Sequence, residues 1–245
     1  MAHRHKALFG VAMLLCATHS AAQGYCDRIF AGQPEPPATE VIVARLHFGT
    51  NGNIGHCGWS HNYPSSDRNL NEFLLTSTRV DVSIDSYRVV DLASSELFDH
   101  PFVYISEPGE MALSDLELDN LREFINRGGF ILMDDFDGVW QLETMLAEVR
   151  RAFPERYIEP LAPDHPAFGI VLPLENLDAL AQYVPGGEIT YFGLLSASGD
   201  LSIAAGHNND LANFWDWYDD GGMPLKPAAD AFRLGINMIV WSMTH

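Results

Sequence analysis

Residues 128–140 read Gly-Gly-Phe-Ile-Leu-Met-Asp-Asp-Phe-Asp-Gly-Val-Trp, and few structures accept that order of residue types. A double glycine stops a helix, because glycine enters left-handed backbone conformations without a Cβ penalty. Phe130, Ile131, Leu132 and Met133 then form an uninterrupted apolar run. Such a run suits a strand covered on both faces, as in a parallel sheet. Asp134, Asp135 and Asp137 follow where that strand gives way to the next helix. In open α/β sheets ligands bind outside the carboxyl ends of the strands. These three acids are therefore the first candidates for a site.

The rest of the chain repeats the alternation. Residues 41–48 begin as an apolar run and predict the first strand. A long polar loop over 49–66 follows, carrying His56, Trp59, His61 and Tyr63. Loops of this length in a compact domain are often functional. Ser66 is placed to cap a helix over 67–78, with Leu70, Phe73 and Leu74 on its inner face. Strands are predicted over 80–90 and 102–106, and Ser114 with Glu117 makes a capping box for a second helix. Leu142, Met145, Leu146 and Val149 mark a third helix. Short strands are expected over 157–161, 169–174, 189–195 and 201–205, the last two paired. A terminal helix is expected over 227–243. Strands alternating with helices predict a single three-layer α/β domain, a mostly parallel sheet with helices on both faces.

Residues 1–22 have the marks of a signal peptide. His3, Arg4, His5 and Lys6 give a basic start, residues 7–17 an apolar segment too short to span a bilayer, and Ser20, Ala21 and Ala22 a small-residue cleavage site. The chain is thus expected to be exported, periplasmic or secreted, with no membrane span in the mature protein. A Pro-rich arm over 23–40 precedes the domain over 41–245. In an oxidising compartment Cys26 and Cys57 suggest one disulfide, tying that arm to the loop after the first strand. Acids outnumber Lys and Arg by 33 to 14. A field of that sign repels phosphate backbones, so nucleic acid is not an expected partner.

Several segments together are similar to one bacterial family, domain of unknown function family 4159. The matching residues are Ala44-Arg45-Leu46, Asn69-Leu70, Phe102-Val-Tyr-Ile105, Leu113-Ser114 with the run from Leu121 through Gly128-Gly129 to Asp134-Asp135-Phe136, Asp164-His-Pro-Ala-Phe168, and Leu234-Gly-Ile-Asn237. The resemblance implies a class I glutamine amidotransferase-like, flavodoxin-like fold. True amidotransferases carry a cysteine nucleophile on a sharp strand-to-helix turn, a geometry like that of other nucleophile elbows. Here that turn carries Asp134, Asp135 and Phe136, with no Ser or Cys. Amidotransferase activity is therefore not expected.

The chemistry then rests on a few side chains. Asp134, Asp135 and Asp137 could hold Ca²⁺ or Mg²⁺ as oxygen ligands, or another divalent metal with help from His165 or His207. They could equally serve as a carboxylate pair for acid–base work on a glycan. Against this, Asp137 fits a helix N-cap and Asp134 a backbone hydrogen bond. Arg45, in an apolar strand, needs a buried partner, and a strand-end acid is a natural one. His207, Asn208, Asn209 and Asp210 gather donors and acceptors at a strand end, and Trp59 offers an aromatic face for stacking. Two functions follow. One is a binding domain for a small polar ligand, a glycan or a protein. The other is a hydrolase, with or without a metal, built on Asp134 and Asp135 with His165 or His207 assisting.

Overall fold

The computed structural model describes residues 31–52, 57–174 and 187–245, together with Ile29 and Leu177. Cys26, His56 and the segment read as a signal peptide lie outside the described residues. Seven strands form one sheet in the order β2-β1-β3-β4-β7-β6-β5. They are β1 (Val43–His47), β2 (Tyr87–Asp91), β3 (Phe102–Ser106), β4 (Phe130–Phe136), β5 (Ile158–Pro160), β6 (Thr190–Leu195) and β7 (Leu201–His207). From β2 to β7 every neighbour pair is parallel; β6 and β5 continue the sheet antiparallel.

Among the described residues five helices cover the sheet: α1 (Ser65–Ser77), α2 (Asp115–Asn126), α3 (Gly138–Ala152), α4 (Leu211–Asp216) and α5 (Leu225–Thr244). Strand side chains alternate between faces, and the two cores divide accordingly. Phe102, Tyr104, Phe130 and Leu132 face α1, α4 and α5. Val103, Ile105, Ile131 and Met133 face α2 and α3. This is the expected three-layer arrangement in one domain. Among the described residues no helix is long and apolar enough to cross a membrane.

The double glycine ends α2 as predicted. Gly128 has φ of 92° and donates to the Ile125 carbonyl, while the Gly129 N–H reaches the Phe124 carbonyl. These two bonds are those of a Schellman motif. At the other end of α2, the predicted capping box of Ser114 and Glu117 is present.

Three expectations needed correction. The strand predicted over 80–90 is confined to β2, because Ser83 and Ser86 fold the preceding residues into a turn. Residues 169–174 are not a strand; the Val171 and Leu172 N–H groups donate to Asn237 on α5 instead of to a sheet neighbour. Ser66 does not cap α1, which begins at Ser65 after Pro64. The Ser66 hydroxyl instead accepts from Arg45 and donates to Asp67.

β4 continues past its apolar run through Asp134 and Asp135, and the strand bulges there. Met133 pairs with Ala205 and Phe136 with His207, so two β4 residues oppose one on β7. Asp135, in the bulge, has φ of 63°. A bulge bends its strand and re-aims a side chain. The consequence is visible on β3: Asp134 bonds Tyr104, and Asp135 bonds Ser106, two residues further along the same strand face. Two consecutive acids thus reach one face of the sheet.

Candidate functional site

The chain runs from β1 to β2 on one side and returns to place β3 on the other side of β1. Such a reversal opens a crevice at the carboxyl ends of the strands, where open α/β sheets bind ligands. A cleft of ≈ 460 Å³ lies at this edge. His61 enters it from the segment after β1, Glu107 from the end of β3, Asp135 from the β4 bulge, and Asn209 and Asp210 from beyond β7. Trp217 stands half exposed at the rim.

Arg45 fixes the β1 side of this edge. Its guanidinium is wholly buried and meets Asp67 on α1 through two bonds, Nε to Oδ1 at 3.3 Å and Nη2 to Oδ2 at 2.6 Å. Nη1 donates to the carbonyls of Trp59 and His61 at 3.1 and 2.8 Å. The same cation lies over the Tyr104 ring, 4.7 Å from its centroid. Arg45 is therefore a pin for the segment that carries His61, and it pairs with Asp67 rather than with a strand-end acid.

His61 Nδ1 lies 3.1 Å from Glu107 Oε1 and 3.3 Å from Asp135 Oδ2. These two carboxylates raise the imidazole's pKa to about 10. The His61 side chain is 48% exposed, whereas that of Glu107 is only 7% exposed. Burial pushes the Glu107 carboxyl up, and its Oε2 has no hydrogen-bond partner. Glu107 and Asp135 both hold left-handed backbone, at φ of 56° and 63°, and Asn208 does so at 60°. Left-handed non-glycine residues are uncommon. Here they fall at or next to the carboxyl ends of three adjacent parallel strands, β3, β4 and β7, and Glu107 and Asp135 line the cleft.

Asp134 lies deeper. Its Oδ2 accepts from the Tyr104 hydroxyl at 3.0 Å and from the Leu211 and Ala212 N–H groups at 2.6 and 3.2 Å. Burial and the neighbouring Asp135 push its carboxyl up to about 8. Asp210 caps α4 by accepting from the Asn213 N–H. Burial, then Asp135 and Asp134, push Asp210 up to about 9. The deeper acids are thus structural as well as electrostatic: Asp134 holds α4 down, and Asp210 starts it.

The other expected residues divide. Asp137 lines the cleft and stands at the N-cap of α3, with no side-chain cap bond. That helix end is held by Asn208, whose Oδ1 accepts from the Gly138 N–H and whose Nδ2 donates to the Glu188 carbonyl. His207 Nε2 lies 3.0 Å from the Gly138 carbonyl, between the rings of Phe136 and Phe192. His165 stands apart from the acids. It lines a separate cleft with Trp241 and His245, and its Nδ1 accepts from the Ala167 N–H. Trp59 is buried against His47 rather than open for stacking. The histidine that meets the acids is thus His61, not His165 or His207. Asn62, Glu107, Gln141 and Asn213 line the cleft unforeseen; the signal for Glu107 was its place at the end of the strand over 102–106.

A family model described as a domain of unknown function (DUF4159) matches residues 43–243. The chain belongs to this family. The match takes in every strand and nearly all of α5, so the cleft is assembled wholly from DUF4159 segments. No curated protein matches the chain.

Proposed function

We propose that this DUF4159 chain is an exported binding domain of the class I glutamine amidotransferase-like fold, taking a small neutral glycan in the cleft between His61 and Trp217. The strand order β2-β1-β3-β4-β7 supports the fold, since flavodoxin-like sheets run 2-1-3-4-5 through the same positions. The basic and apolar N-terminal segment supports export, and a Cys26–Cys57 bridge would follow from that compartment. One observation carries the ligand class. The cleft is walled by acids and amides, with the half-exposed Trp217 at its rim. Carboxylates and amides accept and donate to hydroxyls, and an indole face stacks on the apolar face of a sugar ring.

A panel of neutral oligosaccharides titrated by calorimetry tests the reading. Saturable binding to the wild-type protein is expected, weakened by Trp217→Ala and Asn213→Ala. If no member of the panel binds at millimolar concentration, the glycan reading is wrong.

A second reading, a glycan hydrolase, draws support from Asp210. A carboxyl held protonated near neutral pH is a competent general acid, and Asp210 faces the cleft with its pKa raised to about 9. Turnover of a bound oligosaccharide that vanishes in Asp210→Asn, with binding retained, would select this reading over pure binding.

A further inference from the structure

We infer that His61, Glu107 and Asp135 form a binding site for one divalent transition-metal ion, Zn²⁺ or Mn²⁺. The site stands apart from the identity of any glycan, since it needs only these three side chains.

The first observation is spacing. One ligand atom from each residue can be chosen so that all lie within 4.8 Å of one another. Two of the three separations are 3.1 and 3.3 Å, both from His61 Nδ1. Metal–nitrogen and metal–oxygen bonds of about 2.1 Å put neighbouring ligand atoms about 3.0 Å apart at a right angle and about 3.4 Å apart at a tetrahedral one. The observed separations fall in that interval.

The second observation is independent of the clustering. Glu107 is more than nine-tenths buried, lines the cleft, and leaves Oε2 with no hydrogen-bond partner. A buried carboxylate oxygen without a partner costs free energy comparable to a lost hydrogen bond or more. Asn209 repeats the pattern: it is buried at the same cleft, and its Oδ1 is also unpartnered. Both orphans are acceptors. An electron-deficient occupant satisfies acceptors.

The donor set selects the ion class. One imidazole with two carboxylates suits Zn²⁺ or Mn²⁺ better than Ca²⁺, which prefers all-oxygen shells. Ser106 Oγ, 3.2 Å from Asp135 Oδ2, and the Arg45 bond to the His61 carbonyl orient two of the ligands from outside. Outer partners of this kind are usual around metal ligands. Three protein ligands beside an open cleft leave coordination positions for water or a substrate oxygen, as catalytic rather than structural sites do.

The test uses the full mature chain, stripped with chelator and titrated with Co²⁺ by visible absorption, with Zn²⁺ as competitor. We expect one Co²⁺ per chain, displaced by Zn²⁺. His61→Ala and Glu107→Gln should each weaken binding by about tenfold or more, whereas His100→Ala should bind as the wild type does. If the stripped wild type takes up neither ion, or His61→Ala binds like the wild type, the site is refuted. The His61 side chain is half exposed, so this variant decides the matter should Glu107→Gln fail to fold. Glycan binding is measured separately on the stripped protein, so failure of either idea leaves the other readable.

Discussion

Arg45 and Asp67 meet 2.6 Å apart with both side chains buried, and through this pair β1 is tied to α1 and to the segment carrying His61. Removing one member of a buried pair strands the other charge, at a cost of about 3–5 kcal/mol. Asp67→Asn should therefore destabilise strongly, and Arg45→Met should also leave the Trp59 and His61 carbonyls without their donor. The double variant Arg45→Met/Asp67→Leu should recover part of the loss, because no charge is then left alone. Urea denaturation of all three checks this. A loss below about 1 kcal/mol in either single variant would mean that the pair does not pin the segment.

Gly129 has its place for a different reason from Gly128. A Cβ at Gly129 would lie 2.4 Å from Phe124 Cζ, inside the core between α2 and the sheet. Gly129→Ala should cost about 1–3 kcal/mol through overpacking. Phe124→Leu made alongside it should restore part of that, giving a favourable coupling in a double-mutant cycle. Strictly additive losses would show that the ring is not the obstacle.

Asn237, on α5 and fully buried, uses its whole hydrogen-bonding capacity. Its Oδ1 accepts from the Val171 and Leu172 N–H groups, and its Nδ2 donates to the Phe168 and Leu172 carbonyls. This one amide holds the irregular segment 169–174 on the terminal helix. Asn237→Ala should cost about 2–4 kcal/mol, since several backbone groups lose their partners at once. Asn237→Asp should do no better, because it cannot donate. Thermal unfolding measures both, and protease cutting within 169–174 should increase first. A neutral Asn237→Ala would mean that the segment is held elsewhere.

The sequence carried the scaffold because its signals were local. The apolar run 130–133, the double glycine and the Ser114–Glu117 box each specify an element without help from distant residues, and all three stand as read. The site was only half legible because its geometry is made by contacts far apart in sequence. Asp134 and Asp135 were visible at the strand end, but the bulge that turns both to one face depends on the register between β4 and β7. Arg45 announced that it needed a partner, yet Asp67 came from α1, which no periodicity aligns with β1. The sequence points to His165 and His207 as partners of the acids, and neither takes that place. The closing element was His61, because Arg45 fixes the backbone on which it sits. Asn237 was noticed within a family-like segment, but its four bonds reach residues 65–69 positions away.

The buried acids set the pH dependence of the metal-free protein. In the fold, Asp134 titrates at about 8 and Asp210 at about 9, both raised first by burial and then by neighbouring carboxylates. An unfolded aspartate titrates near 3.9. Between those values the folded state keeps protons that the unfolded state has lost, so stability falls as pH rises. Their contribution is complete below about pH 4 and is lost as pH climbs through the folded pKa values. His61 acts in the same direction: its pKa is raised to about 10, so its pairing with Glu107 and Asp135 is lost at still higher pH. With chelator present, the melting temperature should therefore fall from about pH 5 to about pH 9, by at least ~4 °C if the net change is ~2 kcal/mol. Asp210→Asn removes one of the groups that must ionise, and its melting temperature should decline less over the same range. Calorimetric scans at stepped pH check both, and a wild-type melting temperature that stays level or rises would contradict the buried-acid account.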